Sequence, residues 1–227
     1  MVLRRIVTSV YVWLAFIVLL LAGGTFLFFN YGGSTKPAAS RTDLLRTANA
    51  AMDTGSRKAP VKMVEYADFL CPYCSKFAHD VMPSIQSDFV QSGKVQLEFR
   101  PVAVIAPDSQ RAAEGAYCAA DQHKFWNYYD MAYAKSDDYF TRGAKPEDIQ
   151  VFSGDNIRSL AQSAGLNVPD FMLCLDNGTY TSTVKTATKN FGKLAFNGTP
   201  TFLINNVQYQ GYAPYSVVKP IIESYLK

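Results

Sequence analysis

Cysteine and histidine are scarce in this sequence: its 227 residues carry four of the first and two of the second. That scarcity limits metal chemistry, because a structural zinc ion needs four such ligands. Cys71 and Cys74 form a C-x-x-C, but Cys118 and Cys174 belong to no second one, and His79 and His123 have no ligand-like partner at helical spacing. The histidines are read as surface residues, and a zinc site is set aside. The folded part also lacks an excess of basic charge. Arg4 and Arg5, with Lys36, Arg41, Arg46, Arg57 and Lys58 against Asp43 and Asp53, carry more than the whole net charge of +3. What remains is slightly acidic, which excludes the basic footprint of a nucleic-acid binder. No internal repeat and no low-complexity tract is present, so the chain beyond residue 57 reads as one sizeable core.

What the sequence does have begins with a run, Ile6 to Phe29, without a charged side chain. As a helix this run is long enough to span a bilayer with some tilt. Arg4 and Arg5 before it predict a cytoplasmic N-terminus and an extracytoplasmic remainder. The alternative, a cleaved signal peptide, has an apolar core of only about 7–15 residues, and Pro37-Ala38-Ala39 lies well past the run. Residues 1–29 are therefore read as a short cytoplasmic stub and an uncleaved membrane anchor. Residues 30–57, with Gly32, Gly33, Ser34, Pro37 and Ser40 and only a weak helical pattern, are read as a solvated linker.

The stretch Val61 to Cys74 carries the chemistry. Val61–Ala67 is apolar and β-prone and predicts a buried strand. Pro72 suits the first position of a helix, where its missing N–H would have no partner anyway. Cys71 then falls at the N-cap, with Cys74 one turn later on the same face. Free N–H groups and the positive end of the helix dipole point at the Cys71 sulfur. They favour its thiolate and lower its pKa below the free value of about 8.5. Residues three apart on a helix lie roughly 5–6 Å apart at Cβ, so a small adjustment closes a disulfide. A ring that short constrains little of the unfolded chain; the pair reads as a redox couple that hands its disulfide on.

Downstream, Pro72 to Gln91 predicts a helix kinked at Pro83 and closed by Gly93, then a strand at Val95–Arg100. The β-α-β order predicts a parallel pair with a right-handed crossover. Residues 108–190 read as a helical insertion: one long helix or two over Ser109–Ala134, then shorter ones at Pro146–Phe152, Asn156–Ala164, Pro169–Asp176 and Thr181–Phe191. Strands return at Thr201–Ile204 and Val207–Gln210, with Asn205-Asn206 as a tight hairpin turn, and Pro214–Leu226 ends the chain as an amphipathic helix. The α/β unit is thus residues 58–107 and 191–227. Cys118 and Cys174 are read as a structural disulfide, the alternative being two buried free thiols. Glu65 interrupts the first strand; it is either a buried carboxylate able to exchange protons with Cys74 or a solvated one at a sheet edge. Asp68 is placed on the turn, where a carboxylate bonds backbone N–H groups. The aromatic run Phe125-Trp126-Asn127-Tyr128-Tyr129 with Tyr133 is read as core. The N-x-T matches at Asn177 and Asn197 are read as chance, because a glycan on Asn197 would crowd the site.

These residues together resemble the DsbA-type thiol-disulfide oxidoreductases of the thioredoxin superfamily, in particular the membrane-anchored bacterial branch. The matches are Glu65-Tyr66-Ala67-Asp68-Phe69 before Cys71-Pro72-Tyr73-Cys74, Cys118-Ala119-Ala120-Asp121-Gln122 with Lys124-Phe125-Trp126, Phe171-Met172-Leu173-Cys174-Leu175, and Thr199-Pro200 ahead of the hairpin. Cys-Pro-Tyr-Cys also occurs in glutaredoxins, which are shorter and lack both insertion and anchor. The resemblance covers residues 57–227 and implies a thioredoxin fold with an inserted helical domain. It implies that Pro200 is cis and faces the redox pair, that Thr199 offers its backbone to an extended substrate, that Glu65 lies beneath the pair, and that Pro72 and Tyr73 tune its potential. Expected partners are reduced exported proteins with cysteine pairs and a membrane quinone-linked reoxidase of the DsbB or vitamin K epoxide reductase type. No metal or organic cofactor is implied, and a monomer is expected. A reductase or isomerase with the same residues, or a tethered chaperone or metal-delivery module, are the rival readings.

Overall fold

Five strands form one sheet among the described residues, which are 50–148, 150–194 and 196–227 of a computed structural model. They are β1 (Asp53–Thr54), β2 (Val61–Ala67), β3 (Val95–Pro101), β4 (Thr201–Ile204) and β5 (Val207–Gln210), in spatial order β1-β3-β2-β4-β5. β2 runs parallel to β3, as the crossover required, and antiparallel to β4. The anchor run Ile6–Phe29 and most of the linker lie outside the described residues. Among the described residues no helix is long and apolar enough to cross a membrane.

The central strand has two dry faces. Val61, Met63 and Ala67 enter the main core, while Val64 and Tyr66 enter a second cluster with Val102, Phe191 and Leu203. Side chains alternate across a strand, so Glu65 falls on the main-core side with Met63 and Ala67. The second face also holds a part-buried ion pair, Arg100 Nε to Glu98 Oε1 at 2.8 Å. Arg100 Nη1 donates to the Tyr66 hydroxyl at 2.7 Å, and its guanidinium lies 5.4 Å from the Tyr66 ring centroid.

β2 feeds α1 (Pro72–Asp80), which breaks at Val81 before a short α2 (Met82–Ile85) and a π turn, Gln86–Val90. Pro83 explains the break: it has no N–H to give to the His79 carbonyl and its ring crowds that turn. Gly93, at φ +72°, donates its N–H to the Val90 carbonyl and ends the segment. The inserted helices are α3 (Ser109–Asp121), α4 (Phe125–Thr141), α5 (Gly154–Ser163), α6 (Val168–Asp176) and α7 (Thr181–Lys193); α8 (Tyr215–Ser224) closes the chain. The long pattern over Ser109–Ala134 resolves into two helices, parted where His123 takes φ +55°. Among its described residues, the segment Pro146–Phe152 holds a single 3-10 turn, Pro146–Asp148. Cys118 and Cys174 are joined as a disulfide that ties α3 to α6.

The linker reading of residues 30–57 is corrected at its end. Met52 is buried in the main core, and Asp53 and Thr54 pair antiparallel with Glu98 and Leu97. Gly55 then turns the chain at φ +90°, where a Cβ would collide with the Val95 carbonyl. The sheet therefore begins within the stretch that composition assigned to a tether.

The insertion meets the sheet through aromatic rings. Phe69 packs against Phe99, Tyr128, Tyr129, Tyr133 and Phe152, with centroids 4.9–6.4 Å away. The aromatic run of α4 is thus core, as its spacing predicted, and it roofs the end of β2 from which the cysteine turn emerges.

Candidate active site

Cys71 takes extended backbone angles, φ −88° and ψ 117°, immediately before Pro72 at the first helical position. Its carbonyl accepts the N–H groups of Cys74 and Ser75, each at 3.0 Å, and its own N–H donates to the Asp68 carbonyl at 3.0 Å. Both cysteines are free thiols in this structure. The Cys71 thiol lies 3.3 Å from the Thr199 carbonyl and donates to it. Thr199-Pro200 is a cis peptide bond, and Thr201, directly after it, pairs with Tyr66 across β4 and β2. Two segments distant in the chain thereby share one end of the sheet. Tyr73 projects into solvent, 62% exposed, and Pro72 is exposed beside it, while Pro200 is buried.

The two sulfurs are driven apart electrically. The Cys71 thiol is pulled down to about 7, chiefly by the Cys74 thiol donating to it, then by the side chain of Thr199 and the N–H groups of Cys74 and Tyr73, against the opposing effect of burial. The Cys74 thiol is pushed up, first by burial and then by its bond to Cys71 and the charges of Cys71 and Glu65. At pH 7 about half of Cys71 is therefore thiolate while Cys74 stays a thiol, which makes Cys71 the nucleophile and the better leaving group.

Glu65 is fully buried, 0% exposed, so its sheet-edge alternative is excluded. Neither carboxyl oxygen has a hydrogen-bond partner among the described protein groups. Burial first, and the charge on Cys71 second, push it up to about 8. It is therefore a neutral acid at pH 7, electrically coupled to Cys74. Tyr129 and Tyr133 face the same pair: burial and the charges of Glu65 and Cys74 raise both hydroxyls. Read from sequence as packing alone, these tyrosines also lie within electrostatic reach of the acid and the thiol. Their helical spacing gave no hint of that second part.

A carboxyl raised in the folded state binds a proton that the unfolded chain releases above its ordinary value. Native Glu65 makes stability fall as pH rises from about 5 towards 8, by at most about 1.4 kcal/mol per unit. Cys71, lowered by folding, works in the opposite sense above pH 7, so the clean window is pH 5–7. Urea midpoints of the reduced protein should drop more across that window than those of Glu65→Gln. Parallel curves for the two proteins would remove Glu65 from this account.

Asp68 is also fully buried, and both its oxygens are engaged: Oδ1 accepts from Leu70 N–H at 2.8 Å, and Oδ2 from Val104 and Ile105 N–H at 2.7 and 3.0 Å. Sequence placed Asp68 on the turn; the loop at Val104 and Ile105 that it holds gave no motif and was not found. His79 and His123 are exposed, as expected. Among the described residues no group of three or more His, Cys, Asp or Glu side chains is arranged to hold a metal ion.

Comparison with known proteins agrees with this geometry. Residues 47–224 match the thioredoxin family. Disulfide bond formation protein D of Bacillus subtilis is 30% identical over 176 residues, covering 76% of either chain. The crystal structure of oxidised BdbD from Bacillus subtilis superposes with a TM-score of 0.67 at 26% identity, covering 77% of this chain and 92% of that one. Na(+)/H(+) antiporter NhaA 3 of Salinispora tropica is 28% identical over 85% of this chain, which spans only 29% of that protein's length.

Proposed function

We propose that this chain, which belongs to the thioredoxin family and is a protein disulfide oxidoreductase of the DsbA and BdbD type, runs as a membrane-anchored donor of disulfides to exported proteins. The observation that carries the reading is the asymmetry of the pair: Cys71 lowered to about 7 and bonded to the Thr199 carbonyl, Cys74 raised and fully buried. In the oxidised enzyme a substrate thiolate attacks the Cys71 sulfur. The Cys71–Cys74 bond breaks, and its electron pair leaves on Cys74, which takes a proton; neutral Glu65 is the buried acid beside it. A second substrate thiolate then attacks the substrate sulfur of the mixed disulfide and expels Cys71 as its stabilised thiolate. The substrate has lost two electrons and the enzyme holds them as a dithiol. A quinone-linked membrane partner would reoxidise it. The uncharged run Ile6–Phe29 behind Arg4 and Arg5 supports the anchor and an extracytoplasmic catalytic domain.

A reductant is the second reading, and one observation favours it. A first-cysteine pKa of about 7 is where thioredoxin sits, whereas DsbA lies near 3.5. At pH 7 such a thiolate stabilises the dithiol by a factor of only about two over an ordinary thiol, so it fixes the attacked sulfur without fixing the direction. The reduction potential decides. Equilibration with a glutathione series should place the pair near −120 mV for a donor; a value near −270 mV would assign it to reduction.

A further inference from the structure

Asn177 and Asn197 each stand directly before a glycine, and the exchange above uses neither. Asn-Gly is the dipeptide most open to spontaneous loss of the side-chain amide, because the glycine N–H has no neighbouring Cβ to shield it. The reaction needs the asparagine side chain in water and a free N–H on the next residue. Both asparagines are exposed and both glycines half-buried, so exposure does not separate the two sites. Hydrogen bonding does. Asn177 caps the C-terminus of α6; its N–H donates to the Leu173 carbonyl and the Gly178 N–H to the Leu175 carbonyl, each at 3.0 Å. Among the described residues, the Gly198 N–H and the Asn197 side chain have no hydrogen-bond partner.

Gly198 takes φ +148°, a conformation that L side chains rarely adopt, so the fold itself calls for the glycine that makes Asn197 labile. The backbone on either side is pinned. Phe196 packs on Tyr66 and Phe191, with ring centroids 5.3 and 5.2 Å away. Beyond the glycine, the Thr201 hydroxyl donates to the Gly198 carbonyl at 2.6 Å, Gly211 N–H donates to the Pro200 carbonyl at 2.8 Å, and Thr201 pairs with Tyr66. Between these anchors lies Thr199, whose carbonyl accepts the Cys71 thiol at 3.3 Å.

We propose that Asn197-Gly198 is a spontaneous modification site, where conversion to isoaspartate displaces the Thr199 carbonyl from Cys71 and slows the enzyme, while Asn177-Gly178 is protected. The Gly198 nitrogen attacks Asn197 Cγ. A C–N bond forms, the Cγ–Nδ2 bond breaks, and ammonia leaves with the Gly198 proton. Water then opens the cyclic imide. Cleavage of the new Cγ–N bond gives aspartate; cleavage of the original peptide C–N bond gives isoaspartate, whose main chain runs through Cβ and Cγ. Nothing is oxidised or reduced, and water is the only co-reactant. Isoaspartate adds one carbon to a backbone held on both sides, so Thr199 has to move. The amide chemistry is independent of what the cysteine pair does; its effect on turnover rests on disulfide exchange.

The test ages the full chain in mildly alkaline buffer. Peptide mass mapping follows amide loss at each asparagine, isoaspartyl methyltransferase labelling counts isoaspartate, and turnover of a synthetic dithiol peptide is read on the same samples. Amide loss at Asn197 should run about tenfold faster than at Asn177, the factor that one backbone hydrogen bond imposes on release of its N–H. Turnover should decay in step with isoaspartate, the modified fraction being about a hundredfold slower, the scale of an ångström's misplacement. Asn197→Gln, whose longer side chain closes the ring more slowly, should hold its turnover while the unaltered chain fades. Asn197→Asp supplies the charge without the extra backbone carbon and should stay within about threefold of the fresh chain, because an exposed charge is screened. Equal rates at the two asparagines, or a slower Asn197, overturn the site. Turnover that survives conversion to isoaspartate, that fades equally in Asn197→Gln, or that is lost as fully in fresh Asn197→Asp, overturns the displacement of Thr199. A fresh unaltered chain without turnover would strike the exchange reading instead, and the two amide-loss rates would still decide the site.

Discussion

Cys71→Ser is expected to bring disulfide exchange down to background, a loss on the order of 10⁴-fold or more. The nucleophile is the thiolate, and a serine hydroxyl neither ionises near neutral pH nor forms a disulfide. Cys74 does not take over. It is fully buried, and burial together with its bond to Cys71 and nearby charges holds its thiol well above the ordinary range. Cys74→Ser should behave differently. Its Cys71 thiolate still attacks a substrate disulfide or glutathione disulfide and releases the other sulfur as a thiolate, but the internal thiol that would resolve the mixed disulfide is gone, so mixed disulfides on Cys71 should accumulate. Non-reducing gels and thiol counting distinguish the two variants. Exchange surviving in Cys71→Ser would mean that Cys74 is the entry sulfur, and the assignment of roles would be reversed. The same variant separates catalysis from a tethered chaperone, whose holding activity needs no thiolate.

Phe69→Ala is expected to cost about 3–5 kcal/mol. The ring is almost wholly buried and sits among five other rings, three of them from α4. Its loss opens a cavity where the turn after β2 meets the inserted helices, and the neighbouring rings belong to separate elements that cannot all close on it. For a domain of this size the melting temperature should fall by roughly 10 °C. The expected signature in urea is a lower midpoint at unchanged slope. A loss under about 1 kcal/mol would show that α4 relaxes into the gap and that the seam between insertion and sheet is softer than its packing implies.

Much of this architecture was legible because its signals are local. Val61–Ala67 is apolar on both faces, Asn205-Asn206 takes φ +44° and +72° in a two-residue hairpin turn, and Pro72 opens α1. Each follows from residue type and spacing within a few positions. The cysteine pair and its helix start were legible for the same reason. The misses come from contacts made at a distance. Asp53–Thr54 is a strand only because β3 lies beside it; two residues carry no periodicity, and Met52, after Ala50-Ala51, belongs to a helical pattern too weak to mark it as core. Glu65 left two readings open because its alternation places it on a face without saying what covers that face. The Val104–Ile105 loop reads as an undirected apolar stretch until Asp68, thirty-six positions earlier, is seen to bind it.

The contact between Cys71 and Thr199 spans 128 positions, and the whole helical insertion is threaded between them. This has a consequence for synthesis. A chain emerging N-terminus first presents Cys71, Cys74 and then Cys118 before Cys174, and well before the strand that carries Thr201 can pair with β2. Until then Cys71, Cys74 and Cys118 share a half-built chain, and once the pair is oxidised the Cys118 thiolate can attack it in place of a substrate. Long-range pairing of this kind is slow compared with helix formation. The last strands to be made therefore act as a safety catch: the cysteine pair becomes a selective reagent only when the C-terminal hairpin docks.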